Sequence, residues 1–117
     1  MPRSFSFALN QRIRKRIDFQ CVFRKKRRLY SPYYIIYYHT NTLKHSRMGV
    51  IVSKRSVSHA VQRSRVKRMV REVFRLQQAQ LGAVDVVLVA RKKASVAKKE
   101  ELKQCLEQLF AKLSPSL

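Results

Sequence analysis

The sequence predicts a small α/β sandwich in which helices pack on one sheet. Three observations predict it. The chain has 117 residues, a length that suits a single domain of the commonest size, about 100–150 residues. Apolar residues make up 45% of it, enough for one core and too many for disorder. Helical and strand periodicities alternate along the chain, as they do in α/β folds.

Residues 1–15 lack periodicity and predict an extended, mobile basic arm. The segment from Ile17 to Phe23 then predicts a short helix, with Phe19 and Phe23 at i and i+4 on one face. Pro32 ends whatever precedes it. Tyr33 to His39 is a run of strong strand formers. Alternation places Tyr33, Ile35, Tyr37 and His39 on one face and Tyr34, Ile36 and Tyr38 on the other. Both faces carry tyrosine, so the pattern leaves open which one is wet. Thr40 to Ser46 is polar and turns the chain, and Met48 to Ser53 reads as a second strand, with room for one more strand within residues 40–53.

The most periodic segment runs from about Ser58 to Leu81. Counted at about 100° per residue from Val66, the side chains of Met69, Val70, Val73 and Phe74 share a stripe about 140° wide. Lys67, Arg68, Arg71 and Arg75 fall between about 100° and 200°, so the helix has a dry face and a basic face. Gly82 stops it. Ala83 to Ala90 is almost continuously apolar, the mark of a strand covered on both faces. Leu102, Cys105, Leu106, Leu109, Phe110 and Leu113 recur at helical spacing, predicting a last helix that ends before Pro115.

Charge narrows the function. The chain carries 27 Lys and Arg against 6 Asp and Glu, a formal net charge of +21. Residues 1–75 hold 20 of the basic and 2 of the acidic side chains, and Arg24 to Arg28 is the densest run. That run alone could be a solvated loop. The overall imbalance calls for a polyanion, whose phosphates relieve the self-repulsion and release counterions. Arginine dominates there, and its planar fork suits phosphate. A nucleic-acid partner follows.

Other classes fall away. No run of roughly 18 apolar residues predicts a membrane span, and the N-terminal segment is too interrupted for a signal-peptide core. The apolar stripe of the long helix is needed for the core, which leaves no lipid face. Cys21 and Cys105 lie far apart without the clustered partners of a zinc site, and read as two buried free thiols in a reducing, cytoplasmic compartment. The carboxylates are scattered, with Glu72 best explained by an ion pair to Arg68 or Arg75. His39, His45 and His59 form no relay, and two glycines cannot build a phosphate loop. No catalytic residue and no metal site is predicted on the protein, so a protein-only nuclease is disfavoured.

The segment from Ala60 to Arg75, AVQRSRVKRMVREVFR, resembles the signature of the bacterial ribonuclease P protein subunit: Arg-Asn-Arg, a spacer, Lys-Arg, then Arg-Glu-x-Phe-Arg. Three further segments match in order. Asp18-Phe19-x-x-Val22-Phe23 is similar to the family's first helix, Arg47-x-Gly49-x-x-x-Ser53-Lys54-Arg55 to its strand-to-loop segment, and Asp85 to Arg91 to the strand after the long helix. The resemblance implies an α/β (α+β) two-layer sandwich with a four-stranded mixed sheet and three helices. It also implies a left-handed βαβ crossover, against the usual rule.

It further implies a ribonucleoprotein endoribonuclease whose RNA carries the chemistry with bound Mg²⁺ and removes the 5′ leader of precursor tRNA. The implied partners are that catalytic RNA and precursor tRNA, with no membrane and no obligate protein partner. Lys54, Arg55, Arg63, Ser64, Arg65, Lys67, Arg68, Arg71 and Arg75 would bind the catalytic RNA. Phe19, Phe23 and Tyr37 would form a cleft for the leader. Ser64 departs from the family's asparagine; it lies on the basic face and keeps a hydroxyl while losing the amide's donor–acceptor pair. The competing reading is a structural RNA-binding protein such as a ribosomal component, which explains the charge but not the four matched segments.

Overall fold

Residues 12–43 and 45–116 are described by a computed structural model. The elements follow the order α1 (Arg16–Arg24), β1 (Arg28–Tyr30), β2 (Tyr34–Thr40), β3 (Arg47–Ile51), α2 (Ala60–Leu81), β4 (Val84–Ala90), a 3-10 turn (Lys92–Ser95) and α3 (Lys99–Ser116). The strands form one sheet in the order β1-β2-β4-β3. β2 runs antiparallel to both β1 and β4, whereas β3 and β4 are parallel. The sheet is therefore mixed, and the connection from β3 through α2 to β4 is its parallel crossover.

The fourth strand is not within residues 40–53, where the sequence left room for it, but at β1. Three residues are too few to show a period, and Arg-Leu-Tyr is strand only because it pairs with β2, Leu29 opposite Ile36. A tight turn sets that register: the Ser31 Oγ accepts from the Tyr34 amide at 2.9 Å, and the Ser31 amide donates to the Tyr34 carbonyl. The basic run from Arg24 to Arg28 is accordingly not one loop. It contains the end of α1, a turn and the start of β1. Lys26 makes that turn at a φ of 59°, a left-handed conformation that costs a non-glycine residue about 1 kcal/mol.

β4 is the central strand, and burial on both faces explains its composition. On one face Val86 and Leu88 join Tyr34, Ile36 and Met48 beneath α2 and α3. α2 contributes Val66, Val70, Val73 and Phe74, and α3 contributes Leu102, Leu106, Leu109 and Phe110, with the Phe74 and Phe110 rings packed edge-on at 6.2 Å. On the other face Val87 packs with Val22 of α1 and with Ile13. Each such aliphatic or aromatic side chain adds about 1.5–3 kcal/mol on burial. Gly82 ends α2 at a φ of 73°, which a side chain would strain. α3 starts where Glu101 accepts a hydrogen bond from the Lys98 amide at 3.0 Å, half of a capping box. It continues through Pro115 to Ser116 rather than stopping before the proline. In a last turn a proline forfeits one hydrogen bond and has no following helix to kink.

Two other expectations change. Cys21 is exposed and Cys105 half-buried, both as free thiols: Cys21 lies on the outer side of α1, next to the buried Val22. Of the expected arm, residues 1–11 lie outside the described residues. Arg12 bridges to Met48 along the free edge of β3, where the Ile13 amide donates to the Met48 carbonyl at 3.0 Å and Ile13 is buried.

Asp85 interrupts the apolar run of β4 and is only 5% exposed. Arg47 on β3 donates to both its oxygens, at 2.9 and 2.6 Å, and Asn41 donates at 2.8 Å. These bonds push the Arg47 guanidinium above its ordinary pKa. The same guanidinium lies 3.6 Å from Asp18, so one arginine ties β3, β4 and α1 together. Asp85→Ala is expected to cost about 2–3 kcal/mol, because it removes two charge-assisted hydrogen bonds and leaves Arg47 only the 3.6 Å pair with Asp18. Urea unfolding with an unchanged m-value would measure it.

Candidate nucleic-acid interface

The basic face of α2 is concave where its turns meet the edge segment. Ser64, Lys67, Arg68, Glu72, Arg71 and Arg75 line a hollow of about 350 Å³ together with Arg12. Helical spacing supplies the α2 side of this set, since positions 64, 68, 71 and 75 recur at i+4, i+7 and i+11. Arg12 comes from the segment along β3, which sequence patterning had assigned to an arm. Burial, and then the charge of Arg12, lower the pKa of Arg71. The site thus gathers like charges that an anion would relieve. Glu72 does not cancel them. It pairs with Arg75, whose Nε also donates at 3.2 Å, and those bonds hold the Glu72 carboxyl below its ordinary range. The ion pair expected for Glu72 is therefore the one with Arg75.

The remaining basic candidates separate. Arg63 lies at about 60° on the helix wheel, inside the angular range of the apolar stripe. Its Nη1 donates to the carbonyls of Val57 and Ser58 at 2.9 and 2.7 Å, so this guanidinium holds the loop that leads into α2. Arg65, at about 260°, faces α3 rather than the hollow. Lys54 and Arg55 are exposed on the turn after β3, where the Ser53 Oγ accepts from the Ser56 amide. Ser64 is exposed, and its hydroxyl borders the hollow.

The opposite face of the sheet carries the aromatic group. Pairing aligns Arg28, Tyr37, Val87 and Gly49 in one cross-strand row, and Tyr30, Ile35, Val89 and Ile51 in the next. α1 covers the first row. The Phe23 ring meets Tyr37 edge-to-face at 4.8 Å and 81°, while Phe19 rests on Gly49. A Cβ at Gly49 would lie 2.5 Å from Phe19 Cε1. The second row stays open: Ile35, Val89 and Ile51 are half-buried, and Tyr30 is 55% exposed with the Arg28 guanidinium 5.2 Å from its ring centre. Phe19, Phe23 and Tyr37 are brought together, half-buried, and pack with Ile51 and Val89 against Ile13, Val22 and Val87.

This settles which side of β2 is wet. Tyr34, Ile36 and Tyr38 are core, and burial pushes the Tyr34 hydroxyl well above its ordinary pKa. Ile51, Val89, Tyr30 and Gly49 are not among the site residues that the sequence predicts. Alternation gives the parity of each strand, but only the register across three strands puts these residues in one row. Gly49→Ala is expected to dislodge the Phe19 ring and destabilise the fold by about 1–3 kcal/mol. Loss of Phe19–Ile13 ring contacts in NMR spectra, with a matching fall in urea stability, would show it.

Among the described residues no group of three or more His, Cys, Asp or Glu side chains gathers as metal ligands, and no helix is long and apolar enough to cross a membrane.

A family model described as Ribonuclease P matches residues 7–114. The ribonuclease P protein component of Coxiella burnetii is 41% identical over 107 residues, covering 92% of this chain and 88% of the relative. That of Aliivibrio fischeri is 35% identical over 111 residues, covering 95% of each. Among solved structures, the Staphylococcus aureus RNase P protein superposes with a TM-score of 0.81 at 29% identity, over 86% of this chain and 93% of that one. The Thermotoga maritima RNase P protein, solved with 1-(4-fluorophenyl)-2-thiourea, gives 0.72 at 28% identity, over 83% and 97%.

Proposed function

The chain belongs to the ribonuclease P protein family, and from that premise we propose that it bridges two RNAs in a ribonucleoprotein endonuclease. The basic hollow on α2, with Arg65, Lys54 and Arg55, grips the catalytic RNA. Arg63 acts with them by holding the loop ahead of α2. The cleft of Phe19, Phe23 and Tyr37 holds the single-stranded 5′ leader of precursor tRNA, whose unpaired bases stack on half-exposed rings. The whole chain works as one RNA-binding domain.

One observation carries this reading: the two surfaces lie on opposite faces of a sheet four strands wide. Arg12 reaches the hollow and Ile13 packs on the cleft side, so the faces are joined around the β3 edge. A protein gripping one RNA needs a single such face. Two faces of different chemistry, one cationic and one aromatic, suit a backbone and a single strand respectively.

On this reading the RNA carries out hydrolysis with its own Mg²⁺, and the protein's residues bind and orient. Neutralising phosphates along α2 lowers the repulsion that a folded RNA and its metal ions must overcome. Leader binding separates precursor from mature tRNA, because only the precursor has a leader. The reaction takes place in the cytoplasm, where both RNAs are.

Processing of precursor tRNA by a bacterial ribonuclease P RNA at low Mg²⁺, with and without this protein, tests the reading. Cleavage is expected to require the RNA and to rise at least about tenfold with the protein, equivalent to about 1.4 kcal/mol of barrier. Tight RNA binding with no rise would favour a structural RNA-binding protein instead. Cleavage by the protein alone would mean that the chemistry lies on its side chains.

A further inference from the structure

A second, larger hollow of about 740 Å³ opens between α2 and α3. Arg65 and Arg68 on its rim already belong to the RNA-gripping face, but its floor and its α3 side have no role so far. Its floor is apolar: Val66, Met69 and Val73 on one side, Ala94 and Ala97 beneath, and Leu102 on the other. It runs along α2 from Gln62 to Val73, about 16 Å at the helical rise. Gln62 is fixed at one end by a hydrogen bond from its Nε2 to the Ser95 carbonyl.

The rim is cationic. Arg65 and Arg68 stand on the α2 side and Lys99 and Lys103 on the α3 side, all four exposed. The single acid on this rim, Glu72, is already paired with Arg75. Its carboxyl is held low first by the Arg75 hydrogen bonds, and also by the charge of Lys103 reaching across the groove. Arg68 and Glu72 line this groove and the basic hollow alike, so the two are continuous around one side of α2.

An apolar floor beneath a cationic rim fits a ligand with an aromatic body and negative charge at its ends. A nucleotide in an RNA chain has that form: the base lies on methyl groups and the Met69 thioether, and the flanking phosphates meet arginine and lysine. We propose that the α2–α3 groove takes an unpaired nucleotide of the RNA bound along α2, with its base on Val66, Met69 and Leu102 and its phosphates on Arg65, Arg68, Lys99 and Lys103. This rests on the RNA-binding reading and extends it to α3, where the sequence is nearly charge-balanced and draws no attention.

The test uses the full chain and a bacterial ribonuclease P RNA. The protein has three methionines, Met1, Met48 and Met69; both Met48 and Met69 are buried, at 1% and 8% exposed, but only Met69 lines the groove, so Met48 serves as an internal reference. With methyl-labelled methionine, saturating RNA is expected to shift the Met69 methyl upfield by ring current and leave Met48 in place. Two variants add to this. Lys99→Ala/Lys103→Ala should weaken RNA binding about tenfold and reduce the slope of log affinity against log salt by between about 1.4 and 1.8. Ala97→Phe keeps every charge and fills the groove; it should weaken binding about tenfold with the slope unchanged.

An unmoved Met69 methyl on bound RNA overturns the proposal while leaving the RNA-binding reading intact. A loss in the lysine variant with wild-type binding by a folded Ala97→Phe overturns base insertion. Failure of the RNA to bind at all overturns both readings. The methyl measurement uses the unaltered protein and holds even if Ala97→Phe does not fold.

Discussion

Replacing Phe19 and Phe23 together with alanine is expected to weaken binding of precursor tRNA by about 30-fold, with mature tRNA binding unchanged. Base–aromatic stacking is worth ~1–3 kcal/mol per base by alanine substitution, and about 2 kcal/mol corresponds to that factor. Phe23 is the edge partner of Tyr37 and Phe19 lies on Gly49, so the double variant removes both rings of α1 and leaves Tyr37 on the sheet. Both rings are half-buried, and their truncation also lowers stability. Phe19→Leu/Phe23→Leu separates the two effects, because leucine fills most of the volume and offers no π face. Affinities of both variants for precursor and mature tRNA, measured on folded protein in the holoenzyme, check the prediction. Equal losses for the two tRNAs would remove the cleft as the leader site.

The triple change Lys67→Ala/Arg68→Ala/Arg71→Ala is expected to act on the other face. Affinity for the catalytic RNA should fall about a hundredfold at physiological salt. The slope of log affinity against log salt should drop by between about 2 and 3, near 0.9 for each lost contact to a duplex and 0.7 for a single strand. The loss shrinks as salt rises, since screening already weakens these contacts in the unaltered protein. Folding should not suffer. Arg71 is partly desolvated and repelled by Arg12, so its removal relieves a cost in the free protein. A wild-type salt slope would exclude this hollow as a phosphate site, whatever the change in affinity.

The two faces also differ in how far their residues could be read from the sequence. On α2, the angle of each residue follows from its position, because 3.6 residues make a turn. Lys67, Arg68, Arg71 and Arg75 therefore stand where the wheel places them, and so does the buried stripe from Val66 to Phe74. Arg63 was legible by the same count, as its angle falls within the stripe. The signature at Ala60 to Arg75 groups it with the RNA-binding residues, and only the hydrogen bonds to Val57 and Ser58 show where its guanidinium goes. Arg12 had no periodic neighbours to place it. Its position depends on a bridge to Met48, far along the chain.

The sequence alone determined the α/β class, the two amphipathic helices, the doubly buried β4 and the concentration of positive charge that requires a polyanion. These are local properties, set by composition and by periods that repeat within one element. The tertiary structure decided the rest: that β1 exists, that Tyr37 and not Tyr34 is wet, that Gly49 seats Phe19, and that Arg12 completes the hollow on α2. β1 depends on its hairpin with β2 and the others on pairing between segments far apart in the chain, where a shift of one residue exchanges the two faces of a strand. That information lies in the packing energy of the assembled core and in no single stretch of sequence.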